Sequence, residues 1–242
     1  MKAGGRIFGM ILAVAVSGIV AGAFAQSAHA PAAAPDTRRD ASWARSFAAP
    51  GAPSANGGDI GDENRLVNDP RFELLLKASF PQKQWIWFER GKLLSLPDMV
   101  QFFLGVPGDA LLDENRYVTL DGCVPHDCDD RGMLWMDTGN ERALLIFAGT
   151  GMVRSNDGSS QTHLWIYTSE KLNWQHMPTS FLASLHRWLA TIGADTYRGT
   201  SGYRYTFTLV TVVGPNGIME DIGPDVFGLG QQKQQPTPGA GK

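Results

Sequence analysis

Along the chain, an apolar leader gives way to a polar stretch, a patterned middle and a polar tail. In the middle, Asp69-Pro70 offers an N-cap followed by proline at the first helical position. Phe72, Leu75, Leu76 and Phe80 recur at helical spacing until Pro81 stops the run. Gln84–Glu89 is short and aromatic and reads as a strand or a buried turn. Its mixing of Trp85, Trp87 and Phe88 with Ile86 assigns the rings to the core rather than to a sugar-stacking surface. Pro97-Asp98 opens a second short helix, with Met99, Phe102 and Phe103 on one side and Gly105 at its end. Strand patterns follow over Arg116–Leu120, Gly132–Asp137, Glu141–Ala148, His163–Thr168 and Tyr203–Leu209, set apart by turn signals such as Thr138-Gly139-Asn140 and Asn156-Asp157-Gly158. Ala143–Phe147 is continuously apolar, which predicts a central strand covered on both faces. Gly149-Thr150-Gly151 reads as a turn after that strand. Thr179 or Ser180 caps the strongest helix, which carries Phe181, Leu182, Leu185, Trp188, Leu189 and Ile192 and closes at Gly193. Successive strands with short turns predict an α+β fold, an antiparallel β-sheet of about five strands flanked by helices.

The flanks set the organisation of the chain. Residues 1–25 read as a signal peptide: Lys2 and Arg6 precede an apolar run from Ile7 to Phe24, and Ala23-Phe24-Ala25 is a small-x-small cleavage site, with Ala28-His29-Ala30 as a second. Residues 26–60 are Ala, Pro, Ser and Gly with few apolar side chains, the composition of a disordered linker. The domain then spans 61–230, and 231–242 form a polar tail. The chain has 21 basic and 24 acidic residues; removing Lys2 and Arg6 with the signal leaves 19 against 24, a net charge of −5. That balance argues against nucleic acid or an anionic membrane as partner of the mature chain, and favours a cationic one.

Export changes the reading of Cys123 and Cys128, the only two cysteines. In an oxidising compartment an isolated pair is most simply a disulfide. Closing so short a ring constrains the unfolded chain by about 2 kcal/mol, so it shapes a loop more than it holds a fold. Two other readings stay open. Cys123, His126, Asp127 and Cys128 are potential metal ligands, although C-x2-H-x-C is compressed for structural zinc and has no second cluster to complete it. A redox or nucleophilic thiol would normally be C-x-x-C at a helix start. No nucleophile elbow, P-loop, HExxH or dinucleotide fingerprint occurs, so no enzymatic activity and no cofactor is expected. Asp127, Asp129 and Asp130 beside His126 read as a solvated acidic loop face, and His163, His176 and His186 as surface or packing residues.

Gly-Cys-Val-Pro-His-Asp-Cys at 122–128 resembles the C-K-P-H-D-C loop of the inhibitor of vertebrate lysozyme (Ivy) family. Similar order continues in Tyr117–Gly122, Met133–Asp137, Ala143–Ala148 and Ser184–Leu189, so the resemblance spans about residues 70–227. It implies a periplasmic inhibitor of chicken-type lysozyme, not an enzyme, whose protruding loop of Cys123, Val124, Pro125, His126, Asp127 and Cys128 plugs the lysozyme cleft. His126 would sit between the target's catalytic carboxylates. It leaves a homodimer open, and leaves open a role against the cell's own muramidases or lytic transglycosylases. Val124 stands where the family has lysine, and the segment 26–60 is additional.

Overall fold

The structure, a computed structural model, describes residues 39–50, 61–154, 160–198 and 207–229. Its strands are β1 (Ala49–Pro50), β2 (Phe88–Glu89), β3 (Lys92–Leu93), β4 (Val106–Asp113), β5 (Tyr117–Val124), β6 (Asp127–Asp137), β7 (Leu144–Arg154), β8 (Ser160–Thr168), β9 (Phe207–Val213) and β10 (Met219–Ile222). Its α-helices are α1 (Glu63–Val67), α2 (Pro70–Ser79), α3 (Leu96–Phe103) and α4 (Thr179–Arg198). Eight strands form one sheet in the order β1-β4-β5-β6-β7-β8-β9-β10, and β2 and β3 make a separate hairpin.

The sheet is therefore larger than the five strands expected. The strand β4 carries Pro107 and Gly108 in its first half, which disguise it as a loop; a register shift between Pro107 and Ala110 absorbs them. The strands β1 and β10 are too short to show a period. Nor is the sheet wholly antiparallel. β8 and β9 pair in parallel, as do β1 and β4, because α4 lies between β8 and β9 in the chain and forms the crossover that a parallel pair needs. That helix runs through Gly193 to Arg198. Gly149-Thr150-Gly151 lies inside β7 and is not a turn. A Cβ on Gly151 would meet Trp165 Cζ3 at 3.0 Å, so the glycine makes room for the indole lying across the strand. The strand expected at Tyr203–Leu209 is observed from Phe207; residues 203–206 lie outside the described residues, as do 1–38, 51–60 and the tail 231–242.

Helices cover both sheet faces. Phe72, Leu75 and Leu76 of α2 and Met99, Val100 and Phe103 of α3 pack on one face with Leu120, Leu134 and Phe147. Phe181, Leu185, Trp188 and Ile192 of α4 pack on the other with Met133, Trp135 and Ile166. The central β7 serves both, Leu145 and Phe147 on one side, Ile146 and Ala148 on the other, as its unbroken apolar run predicts. Arg187 ties α4 to β4 by a two-pronged pair with Asp113, at 3.1 and 2.6 Å. The cap at Asp69 accepts from Arg71 N–H at 2.9 Å with Pro70 at the first position, as its sequence predicts.

Part of the expected linker is folded. Residues Ser42–Ser46 form a 3₁₀ helix, Ala41 and Ala44 are wholly buried, and Ala49 and Pro50 pair with Leu111 and Leu112. Arg39 is 3% exposed and donates to Ala143 O at 3.0 Å and Ser169 Oγ at 3.1 Å, with Glu170 at 2.9 Å. Composition misled because alanine counts little as apolar content yet fits where the backbone approaches closely. The compact domain thus includes 39–50 beside the segment starting at 61.

Candidate functional site

The Cys123–Cys128 segment forms the end of the β5–β6 hairpin. Val124 and Asp127 are register partners, leaving Pro125 and His126 as the two turn residues. Proline holds φ negative at the first, and His126 has φ +68° at the second. Those signs define a type II turn, whose second position normally takes glycine or asparagine. An imidazole there costs about 1–2 kcal/mol of backbone strain. Beside the Val124–Asp127 pair, a disulfide joins Cys123 to Cys128, with Cα atoms 4.9 Å apart. That bond leaves no free cysteine among the described residues.

Near its tip the hairpin leaves the ladder, while β7 continues to Arg154 paired with β8. The hairpin's last ladder pair with β4 is Val106–Cys123 and with β7 is Arg131–Thr150. A register shift follows Cys123, so Cys128–Asp130 bulge from the ladder. Arg131 Nε donates to Cys128 O at 3.0 Å and holds that bulge.

The six residues of the loop divide into an anchor and a tip. Cys123 and Val124 are 6% and 3% exposed, and Val124 belongs to the core under α3. Pro125 is half-buried, and His126, Asp127 and Cys128 are exposed. The Val124 side chain is buried and fastens the loop. Two glycines outside the disulfide ring complete the anchor. A Cβ on Gly105, just after α3, would stand 2.8 Å from Pro125 Cγ. One on Gly122 would stand 2.7 Å from the Val106 carbonyl oxygen. Proline therefore seats directly against the end of α3. The sequence offered Gly105 only as a helix terminator, and its second use needs the fold to be seen. Asp127 and Asp129 are exposed beside the tip and give it an acidic surround.

Among the described residues, the other histidines form no site with His126. His176 is exposed in a short 3₁₀ helix, and His186 Nε2 donates to Phe227 O at 2.6 Å. His163 stacks on Trp165 with ring centroids 4.1 Å apart, and its Nε2 lies 2.8 Å from Thr211 Oγ1. Thr211 in turn donates to Asp221 at 2.6 Å. Its one hydroxyl proton is thus committed to the carboxylate, so Nε2–H of His163 is the donor. That tautomer cannot draw a proton from the threonine, and the trio is a structural relay, not a nucleophile with its base. Burial pushes the His163 pKa down, and nearby Asp221 offsets part of that.

Among the described residues no helix is long and apolar enough to cross a membrane. Comparison with known proteins gives no match to this chain, whether by protein-family model, by curated sequence or by solved structure.

Proposed function

We propose that this protein is a periplasmic inhibitor of chicken-type lysozyme, not an enzyme, and that the β5–β6 hairpin is its plug. The observation that carries the reading is His126: an exposed imidazole held at positive φ on the tip of a disulfide-closed turn. Strained non-glycine backbone at an exposed tip persists where the side chain is used. The resemblance of Gly122–Cys128 to the Ivy loop supplies the target.

The chemistry fits that target. A retaining lysozyme works through two carboxyl groups about 5 Å apart, one a proton donor and one an anion. An imidazole has two ring nitrogens on opposite edges, each able to reach a carboxyl oxygen at about 2.8 Å. Placed between the groups it occupies the position of the scissile bond and uses both of them. It offers no glycosidic oxygen to protonate, so the contact leads to no turnover.

Binding is strengthened because little ordering is left to do. The disulfide, Pro125, the buried Cys123 and Val124 and the seat at Gly105 fix the turn before docking, which spares the entropy of arranging a loop. Asp127, Asp129 and a mature charge of −5 suit a cationic enzyme and raise the association rate. The test is lysis of cell-wall suspensions by chicken-type lysozyme titrated with purified protein. The expected result is a stoichiometric loss of lysis; undiminished lysis at excess protein, against several such lysozymes, overturns the proposal.

A further inference from the structure

The segment just before α3 presents a second surface that the plug does not use. Gln84 is buried, and its side-chain amide is fully engaged: Nε2 donates to Trp87 O at 3.0 Å and Leu94 O at 2.7 Å, and Oε1 accepts from Ile86 N–H at 2.8 Å and Trp87 N–H at 2.9 Å. Trp87 packs edge-on to Phe103 at 4.9 Å. The turn is thereby locked to the core. On this rigid base Trp85 and Phe88 are 59% and 58% exposed, contrary to the core role that their sequence suggests.

Cations lie along the same segment. Lys83 Nζ stands 5.9 Å from the Trp85 ring centre. Beyond Phe88, Arg90 and Gly91 form the two-residue β2–β3 turn, and Arg90 holds φ +48° where a hairpin normally uses asparagine or glycine. Its side chain is 91% exposed, beside Glu89. Residues 83–92 hold three cations and one anion, a local +2 on a chain whose net charge is −3. Exposed aromatic rings on a locked turn, in a segment of local positive charge on an acidic chain, fit an anionic partner with flat apolar faces.

We propose that this hairpin docks peptidoglycan, the rings stacking on its sugar faces and Lys83 and Arg90 pairing with the free carboxylates of its stem peptides. A lipid surface fits less well, because the charged Glu89–Arg90 pair, not the rings, leads the hairpin and would have to be desolvated first. The choice of a wall polymer over single-stranded nucleic acid rests on the export part of the proposed function and not on the plug. The two surfaces share one mounting: Trp87 packs on Phe103 near the end of α3, and Pro125 packs on Gly105 just beyond it. Such an inhibitor would be stationed on the polymer that its target attacks.

Co-sedimentation with purified peptidoglycan sacculi, without lysozyme, tests this. Wild type is expected to pellet with sacculi and to be released by salt, and to remain in solution with carboxyl-amidated sacculi and with vesicles of anionic phospholipid. The double variant Trp85→Ala/Phe88→Ala, whose rings are exposed so that folding is spared, is expected to bind at least tenfold more weakly at an unchanged melting temperature. Arg90→Glu is expected to weaken binding, and His126→Ala to leave it unaltered, which separates this surface from the plug. Wild type staying in solution, pelleting with vesicles, or binding equally well after loss of both rings would each overturn it.

Discussion

His126 adopts a backbone conformation for which its position would normally select glycine. The account therefore predicts opposite effects on stability and on binding. His126→Gly should stabilise the fold by about 1 kcal/mol, because the strain is relieved and little buried area is lost. The same change should abolish tight binding; chemical denaturation beside an inhibition assay reads both, and a destabilised glycine variant would contradict the strain argument. Val124 leads to a different expectation. As a surface residue, Val124→Lys would have altered affinity only modestly. Buried at 3% in the core under α3, it should instead lose at least about 2 kcal/mol of stability, since an ammonium would enter an apolar site. Equal melting temperatures for Val124→Lys and wild type would count against the anchor. The chemistry of this loop was legible in the sequence because Cys123, Pro125, His126 and Cys128 lie within a single turn. Its anchoring was not legible, because Gly105 meets Pro125 only through the pairing of β4 with β5.

At the scale of elements, the segment 39–50 matters most. It has the composition of a linker, yet it adds a strand beside β4 and seats Arg39 against β7 and the end of β8. Deleting 39–50 should lower the melting temperature substantially, and Arg39→Ala alone should cost about 2–3 kcal/mol by leaving Ala143 O and Ser169 Oγ short of a donor. Thermal scans of both variants check this; a deletion that melts with wild type would restore the linker reading. Helices α2 and α3 and strands β5 to β8 were readable because each carries its own period or cap. The strand β4 was not, since Pro107 and Gly108 are tolerated only through the register shift opposite β5. The parallel β8–β9 pair follows from the crossover through α4, a fact of connection that no local pattern records. Edge strand β10 presents Glu220 and Asp221, and charges on an open edge oppose its pairing with another copy.

For the whole molecule, acid should weaken the fold in two stages. His163 has a pKa held below its ordinary 6.5, chiefly by burial, so its neutral form is the folded one. Its contribution is complete above pH 6.5 and is lost as pH falls below that value and through the folded pKa. Burial alone would raise the Asp137 pKa, but two bonds from Arg116, each 2.6 Å, and one from Gly139 N–H outweigh it and hold it below 3.8. Its contribution is present above that value and is lost in stronger acid. Melting temperature against pH should thus decline gently below 6.5 and further below 3.8, and His163→Gln should remove the first decline; a flat profile down to pH 4 in wild type would contradict it. The plug is tested by titrating chicken-type lysozyme with wild type and with His126→Ala in parallel, both verified as folded. The account predicts stoichiometric inhibition by wild type and a loss of about 2–4 kcal/mol in binding, roughly 30- to 1000-fold, for the variant. Equal inhibition by the two proteins, or none by either, would contradict it.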